Sequence, residues 1–217
     1  MMLPFTVRDF LEVFGRYNLA VWPAPLFLYG VAALIVILVL QQDRPRLVSV
    51  LLATLWLWSG LVYHLAFFSA INPAAPLFGI VFLAQAGILL WDARGHTAGT
   101  SAAHAPFAAH AGKALVAYAL IGYPLLGYLA GHRYPETPTF GAPCPTVIFT
   151  LGVLLWTRRD LSWRIVAIPL AWTVIATSAA VQLRVPQDYG LAIAGVATLL
   201  ALAAGTRRLE TLRPVTK

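Results

Sequence analysis

Residues 47–91 contain no aspartate, glutamate, lysine or arginine, and the same holds for 17–42, 165–183 and 189–206. Hydrocarbon offers a main chain no hydrogen-bond partners, so only helices and closed barrels can cross it. Apolar runs of about 20 residues have the length of a membrane-spanning helix at ~1.5 Å rise per residue. The expected fold class is therefore all-α, a polytopic transmembrane helix bundle.

Composition agrees. Of 217 residues, 60% are hydrophobic and 11% charged, far more apolar than a soluble domain. The connections are too short to fold separately, so 1–217 reads as a single integral membrane domain. Arg8, Asp9, Glu12 and Arg16 precede the first apolar run and no small-x-small cleavage site follows it, so the first span is expected to remain as an anchor. One cysteine leaves no intrachain disulfide.

Residues 6–17 have the pattern of a short amphipathic interfacial helix. Thr6 and Asp9 carry capping-box spacing, and Val7, Phe10, Phe14 and Tyr17 fall on one face. Such a helix is expected to lie flat in the headgroup region. Spans follow at about 20–40, 47–71, 74–91, 114–131, 144–157, 164–182 and 189–205, seven in all. The fifth is short for a crossing and fits a tilted or partly re-entrant segment.

Basic residues orient these spans. Seven crossings put Arg8, Arg16, Arg133 and Arg184 on one side. The other receives Arg44, Arg46, Arg94, Lys113, Arg158, Arg159, Arg164, Arg207, Arg208, Arg213 and Lys217. By the positive-inside rule the N-terminus is outside and the C-terminus cytoplasmic. This distribution accounts for the net charge of +7 without nucleic acid, and the expected location is the inner (plasma) membrane. Trp56, Trp58 and Trp172 fall near midspan and are expected to pack between helices. The 92–113 link, with His96, His104 and His110 among small residues, reads as a solvated linker rather than a metal site.

The chemistry gathers on the expected outer side. His64 is the only histidine inside a span, and an intramembrane ionisable group marks a site unless the imidazole simply bonds a neighbouring helix. Cys144, between Pro143 and Pro145 at a helix start, has the setting of a low-pKa thiol, against the alternative of a small core residue. His132, Arg133 and Glu136 sit in the proline-rich 132–146 link, Asn72 opens Asn72–Pro76, and Asp188 ends Arg184–Asp188. Arg133 could pair with Glu136 or Asp188 at the boundary. Pro124 and Pro169 are expected to kink their helices, and Gly127 with Gly131 forms a GxxxG packing signal. No span carries an acid, and no P-loop, GxGxxG or HExxH occurs, which excludes nucleotide-driven and dinucleotide-dependent chemistry.

Tyr63-His64, Ile71–Ala75, Gly131–Pro135, Thr137–Gly141, Pro143–Thr146 and Val185–Asp188 together resemble a family of uncharacterised bacterial multi-pass membrane proteins known only as a domain of unknown function. The resemblance covers nearly the whole chain, and some members are loosely labelled permeases. The leading expectation is a permease-like protein with a polar pocket opening outward, lined by His64, Asn72, His132, Arg133, Glu136, Cys144 and Asp188. It would take a small solute, or a soft metal ion on His64, His132 and Cys144. One rival is a membrane enzyme with Cys144 as thiolate nucleophile and His132 or His64 as base. The other is a non-catalytic membrane partner or assembly subunit. The bilayer is the expected partner, with a homo-oligomer or a second membrane protein as further candidates.

Overall fold

A computed structural model describes residues 4–95, 106–158 and 161–211. The chain is a multi-span bundle of α-helices. These are α1 (Val7–Ala20), α2 (Ala24–Leu40), α3 (Pro45–Trp58), α4 (Ala75–Gly95), α5 (Pro106–Ala117), α6 (Tyr123–Leu129), α7 (Pro143–Thr157), α8 (Trp163–Leu183) and α9 (Gly190–Thr211). A π-helical segment, Ser59–Phe67, extends α3, and another, Tyr118–Gly122, joins α5 to α6. Among the described residues, five helical stretches are long and apolar enough to cross a membrane: Pro45–Ala70, Ala75–Gly95, Phe107–Leu129, Trp163–Leu183 and Pro186–Gly205. The pair α1 and α2, bent by 86°, makes a sixth if taken as one broken span.

The capping box of α1 forms as the spacing implies. Thr6 Oγ1 accepts from the Asp9 amide, and the Thr6 amide donates to Asp9 Oδ2 at 2.8 Å. The hydrogen bonds from the Thr6 main chain and hydroxyl hold the Asp9 carboxyl below its ordinary range. The aromatic stripe of α1, however, does not face lipid. Phe10, Phe14 and Tyr17 are buried against Tyr63, Phe68 and Leu183, so the helix is docked onto one end of the bundle.

At 15 residues α7 is shorter than the spanning stretches, and it is the hub. Pro143 and every residue from Pro145 to Leu155 are buried, among α3, α5, α8 and α9. A helix enclosed on all sides by its neighbours needs apolar residues on every face, which fits its uniform hydrophobicity. The closest crossing is with α5. A Cβ on Gly112 would lie 2.6 Å from the Gly152 carbonyl oxygen, so two glycines let the backbones touch. The Gly127–Gly131 pair does not do this. Gly131 lies outside α6 at φ +89° with open space around its Cβ position, and Gly127 faces the Gln187 side chain.

The two prolines behave differently. Pro124 follows the π-helical segment, whose wider turn accommodates a residue that lacks an N–H and crowds the preceding turn. α8 instead continues unbroken from Trp163 to Leu183 through Pro169. The 92–113 region is not one linker: α4 continues to Gly95 and α5 starts at Pro106. His96 and His104 lie outside the described residues, while His110 is in α5.

Candidate functional site

A cavity of about 430 Å³ lies where α1, the first π-helical segment, the start of α4, the start of α7 and α8 meet. α1 contributes Phe10 and Phe14, and the π-helical segment contributes Tyr63 and His64. Phe68, Asn72 and Phe78 close another side. Pro143 and Cys144 form the end wall, and Trp172, Ile175 and Ala179 of α8 form the far wall. Asp188 completes the lining. The expected polar pocket is thus corrected: the walls are mostly aromatic and aliphatic, with a few polar groups set into them.

His64 is the chemical centre of this cavity. It is fully buried, and its ring sits 4.7 Å from Phe82 and 5.2 Å from Trp172, centroid to centroid. Tyr63, Phe68 and Phe78 complete an aromatic cage. Neither Nδ1 nor Nε2 has a hydrogen-bond partner among the described residues. The alternative of an imidazole bonded to a neighbouring helix is therefore not what the structure contains. A buried imidazole gives up solvation worth about 1–3 kcal/mol when left unpaired, so this residue stands out against a core that otherwise satisfies most of its polar groups. It also sits on a π-helical segment, a feature that recurs at functional sites.

Asp188 is buried, and Tyr123 donates its hydroxyl to Oδ1 at 2.5 Å. The Cys144 thiol lies beside this carboxyl and the Trp172 indole. An acid facing the sulfur is the opposite of the electropositive setting that activates a cysteine nucleophile. The turn carrying Asp188 is itself anchored, because Tyr118 donates its hydroxyl to the Gln187 carbonyl at 2.7 Å. Asn72 lines the cavity, with its Oδ1 accepting from the Ala74 amide at 3.0 Å to shape the start of α4.

The other expected site residues lie elsewhere. His132 Nδ1 is 3.0 Å from Gln187 Nε2, outside the cavity lining. Arg133 lays its guanidinium 5.1 Å from the Tyr128 ring centroid, and no ion pair joins it to Glu136 or Asp188 among the described residues. Glu136 lines a separate surface hollow with Asp9, Glu12 and Arg16. Among the described residues no three His, Cys, Asp or Glu side chains are placed to hold a metal ion, so His64, His132 and Cys144 do not form one centre.

A family model described as "Family of unknown function (DUF6064)" matches residues 7–213. The chain belongs to the DUF6064 family. No curated protein and no solved structure matches it. Of the segments that carry the resemblance, Tyr63-His64, Asn72–Ala74, Pro143-Cys144 and Asp188 line the cavity of this DUF6064 chain. His132 reaches Gln187, Cys144 faces Asp188, and Ser59, five residues before His64, donates to the Gly141 carbonyl at 2.7 Å. Trp172, Tyr123 and Asn18 were not among the expected site residues. Trp172 carried a signal in being a midspan tryptophan, whose indole N–H needs a partner wherever it is buried.

Proposed function

We propose that this protein is a small permease-like binding protein of a bacterial inner membrane, with seven crossings, the N-terminus outside, and a ligand site in the His64 cavity. One observation carries the reading: a fully buried histidine with two unpaired ring nitrogens lines a cavity of about 430 Å³. That volume falls within the range of small-molecule sites, roughly 300–1,000 Å³, and mostly apolar walls with few polar groups are their usual make-up. The uneven distribution of lysine and arginine supports the orientation, which places the cavity in the outer half of the membrane. A soft metal ion is not the cargo in this reading, since the described residues offer no three-ligand set.

The test is cellular uptake across a broad panel of solutes, comparing the native chain with His64→Ala. A solute whose flux depends on His64 supports the reading, and unchanged flux across the whole panel overturns it. Orientation is checked in a Cys144→Ser background by placing single cysteines at Arg46 and Arg133. Only the second should react with an impermeant maleimide added from outside.

A further inference from the structure

The mouth of the cavity says how its ligand arrives. Ile175, Ser178 and Gln182 line it and are exposed, at positions i, i+3 and i+7 of α8. Their neighbours Val174 and Val181 are also exposed. α8 is one of the helices long and apolar enough to span. With α8 taken as a membrane span, an opening along that flank faces lipid. The two polar rim side chains are turned to their own helix, Ser178 Oγ donating to the Ile175 carbonyl and Gln182 Nε2 to the Ser178 carbonyl.

Inside, the unpaired groups define what could bind. Neutral His64 has one ring donor and one acceptor. Trp172 Nε1–H has no oxygen or nitrogen partner among the described residues, and the Cys144 sulfur lies beside it. Two donors and one acceptor therefore meet within one aromatic cage, where the His64 and Trp172 rings stand at 79°. Among the described residues no lysine or arginine lines the cavity, and the one carboxyl there, Asp188, is held by Tyr123. A phosphate or carboxylate head would be desolvated there with no cation to meet it. An uncharged ring bearing oxygen acceptors fits both the donors and the flat, aromatic walls.

We infer that the cavity binds an uncharged, bilayer-resident amphiphile whose head is an oxygen-bearing ring, the chemical class of the isoprenoid quinones. The ring oxygen accepts from His64 and Trp172, and the tail leaves between the first turns of α4 and the flank of α8 into the lipid. This rests on the proposed function and specifies its ligand.

The experiment titrates a decyl-tailed benzoquinone into the purified full-length chain in detergent, followed by calorimetry. Saturable one-site binding is expected, weakened at least tenfold by Trp172→Phe, which keeps a ring and removes the N–H, and by His64→Leu. Ser178→Trp, on the exposed rim and away from the core, should slow association without unfolding the chain. Non-saturable uptake, or equal affinity in Trp172→Phe and Ser178→Trp, overturns the inference. Solvent extraction of the native protein separates the two levels. A co-purified molecule of another class, lost in His64→Leu, rejects the quinone class and keeps the binding function. If nothing is retained and nothing binds, both are rejected.

Discussion

Gln85 Nε2 donates to the main-chain carbonyl of Ile165 at 2.9 Å, and Ile165 lies four residues before Pro169. That carbonyl would ordinarily accept from the amide of residue 169, which proline lacks. A side chain on α4 thus completes the backbone of α8, and α8 runs through its proline as one helix. Gln85→Leu should cost about 1–2 kcal/mol by orphaning the carbonyl. In Pro169→Ala the alanine amide takes it over, so Gln85→Leu should cost much less in that background. Thermal unfolding in detergent of the four proteins of the cycle gives the coupling. Additive effects would show that the two sites are independent.

Asn18 ties the proline-rich link to the first helix. Its Nδ2 donates to the carbonyls of Pro135 and Thr137 at 2.6 and 2.7 Å, and its Oδ1 accepts from Thr139 Oγ1 at 2.8 Å. The side chain is fully buried, so nothing in solvent replaces these bonds. Asn18→Ala should destabilise the protein by about 2–3 kcal/mol and raise amide exchange across 132–142 while leaving α7 protected. Uniform exchange changes along the chain would argue against a local tether.

Neither Gln85 nor Asn18 announces its partner in the sequence. Helix positions were legible, because hydrocarbon imposes a length and a composition. The expected 74–91 and 164–182 became Ala75–Gly95 and Trp163–Leu183. The capping box of α1 was legible too, being local chemistry between Thr6 and Asp9. What the aromatic stripe of α1 packs against was not, since lipid and protein reward the same apolar face. Nor was the cavity, which depends on which face of α8 meets His64, and spans that are apolar all round carry little periodicity to fix that. Of the residues that the expected topology gathers on the outer side, His64, Asn72, Cys144 and Asp188 line the cavity, whereas His132, Arg133 and Glu136 do not. Asn18 gave no warning because it falls just past the expected 6–17 helix, where one asparagine before an apolar run looks like an ordinary link residue.

Asp92 and Arg158 join α4 to the end of α7 by a two-pronged ion pair, and Ser49 of α3 hydrogen-bonds both. Both charged side chains are under one-fifth exposed, which makes this cluster unlike the exposed Asp43–Arg44 pair. Removing one partner leaves a partly buried, uncompensated charge. Asp92→Ala should cost on the order of 2–3 kcal/mol, whereas Asp43→Ala should stay within about 0.5 kcal/mol. Melting temperatures of the two variants at matched detergent and salt decide it, and equal effects would demote the buried cluster to a surface pair.

Glycines at a helix crossing and on an open helix face should respond with opposite signs. A Cβ at Gly112 meets the Trp156 nitrogen at 2.5 Å and the Gly152 carbonyl at 2.6 Å, both main-chain atoms that cannot rotate away. Gly112→Ala must therefore separate α5 from the central α7, an overpacking cost of about 1–3 kcal/mol. Gly87 in α4 has nothing within 4 Å of its Cβ position, so Gly87→Ala only removes backbone freedom from the unfolded chain. It should stabilise by about 0.5–1 kcal/mol. Thermal denaturation of both variants beside the native chain is the measurement. A neutral Gly112→Ala would mean that α5 and α7 do not cross at this point, which would in turn loosen the framework that positions Cys144 and Asp188.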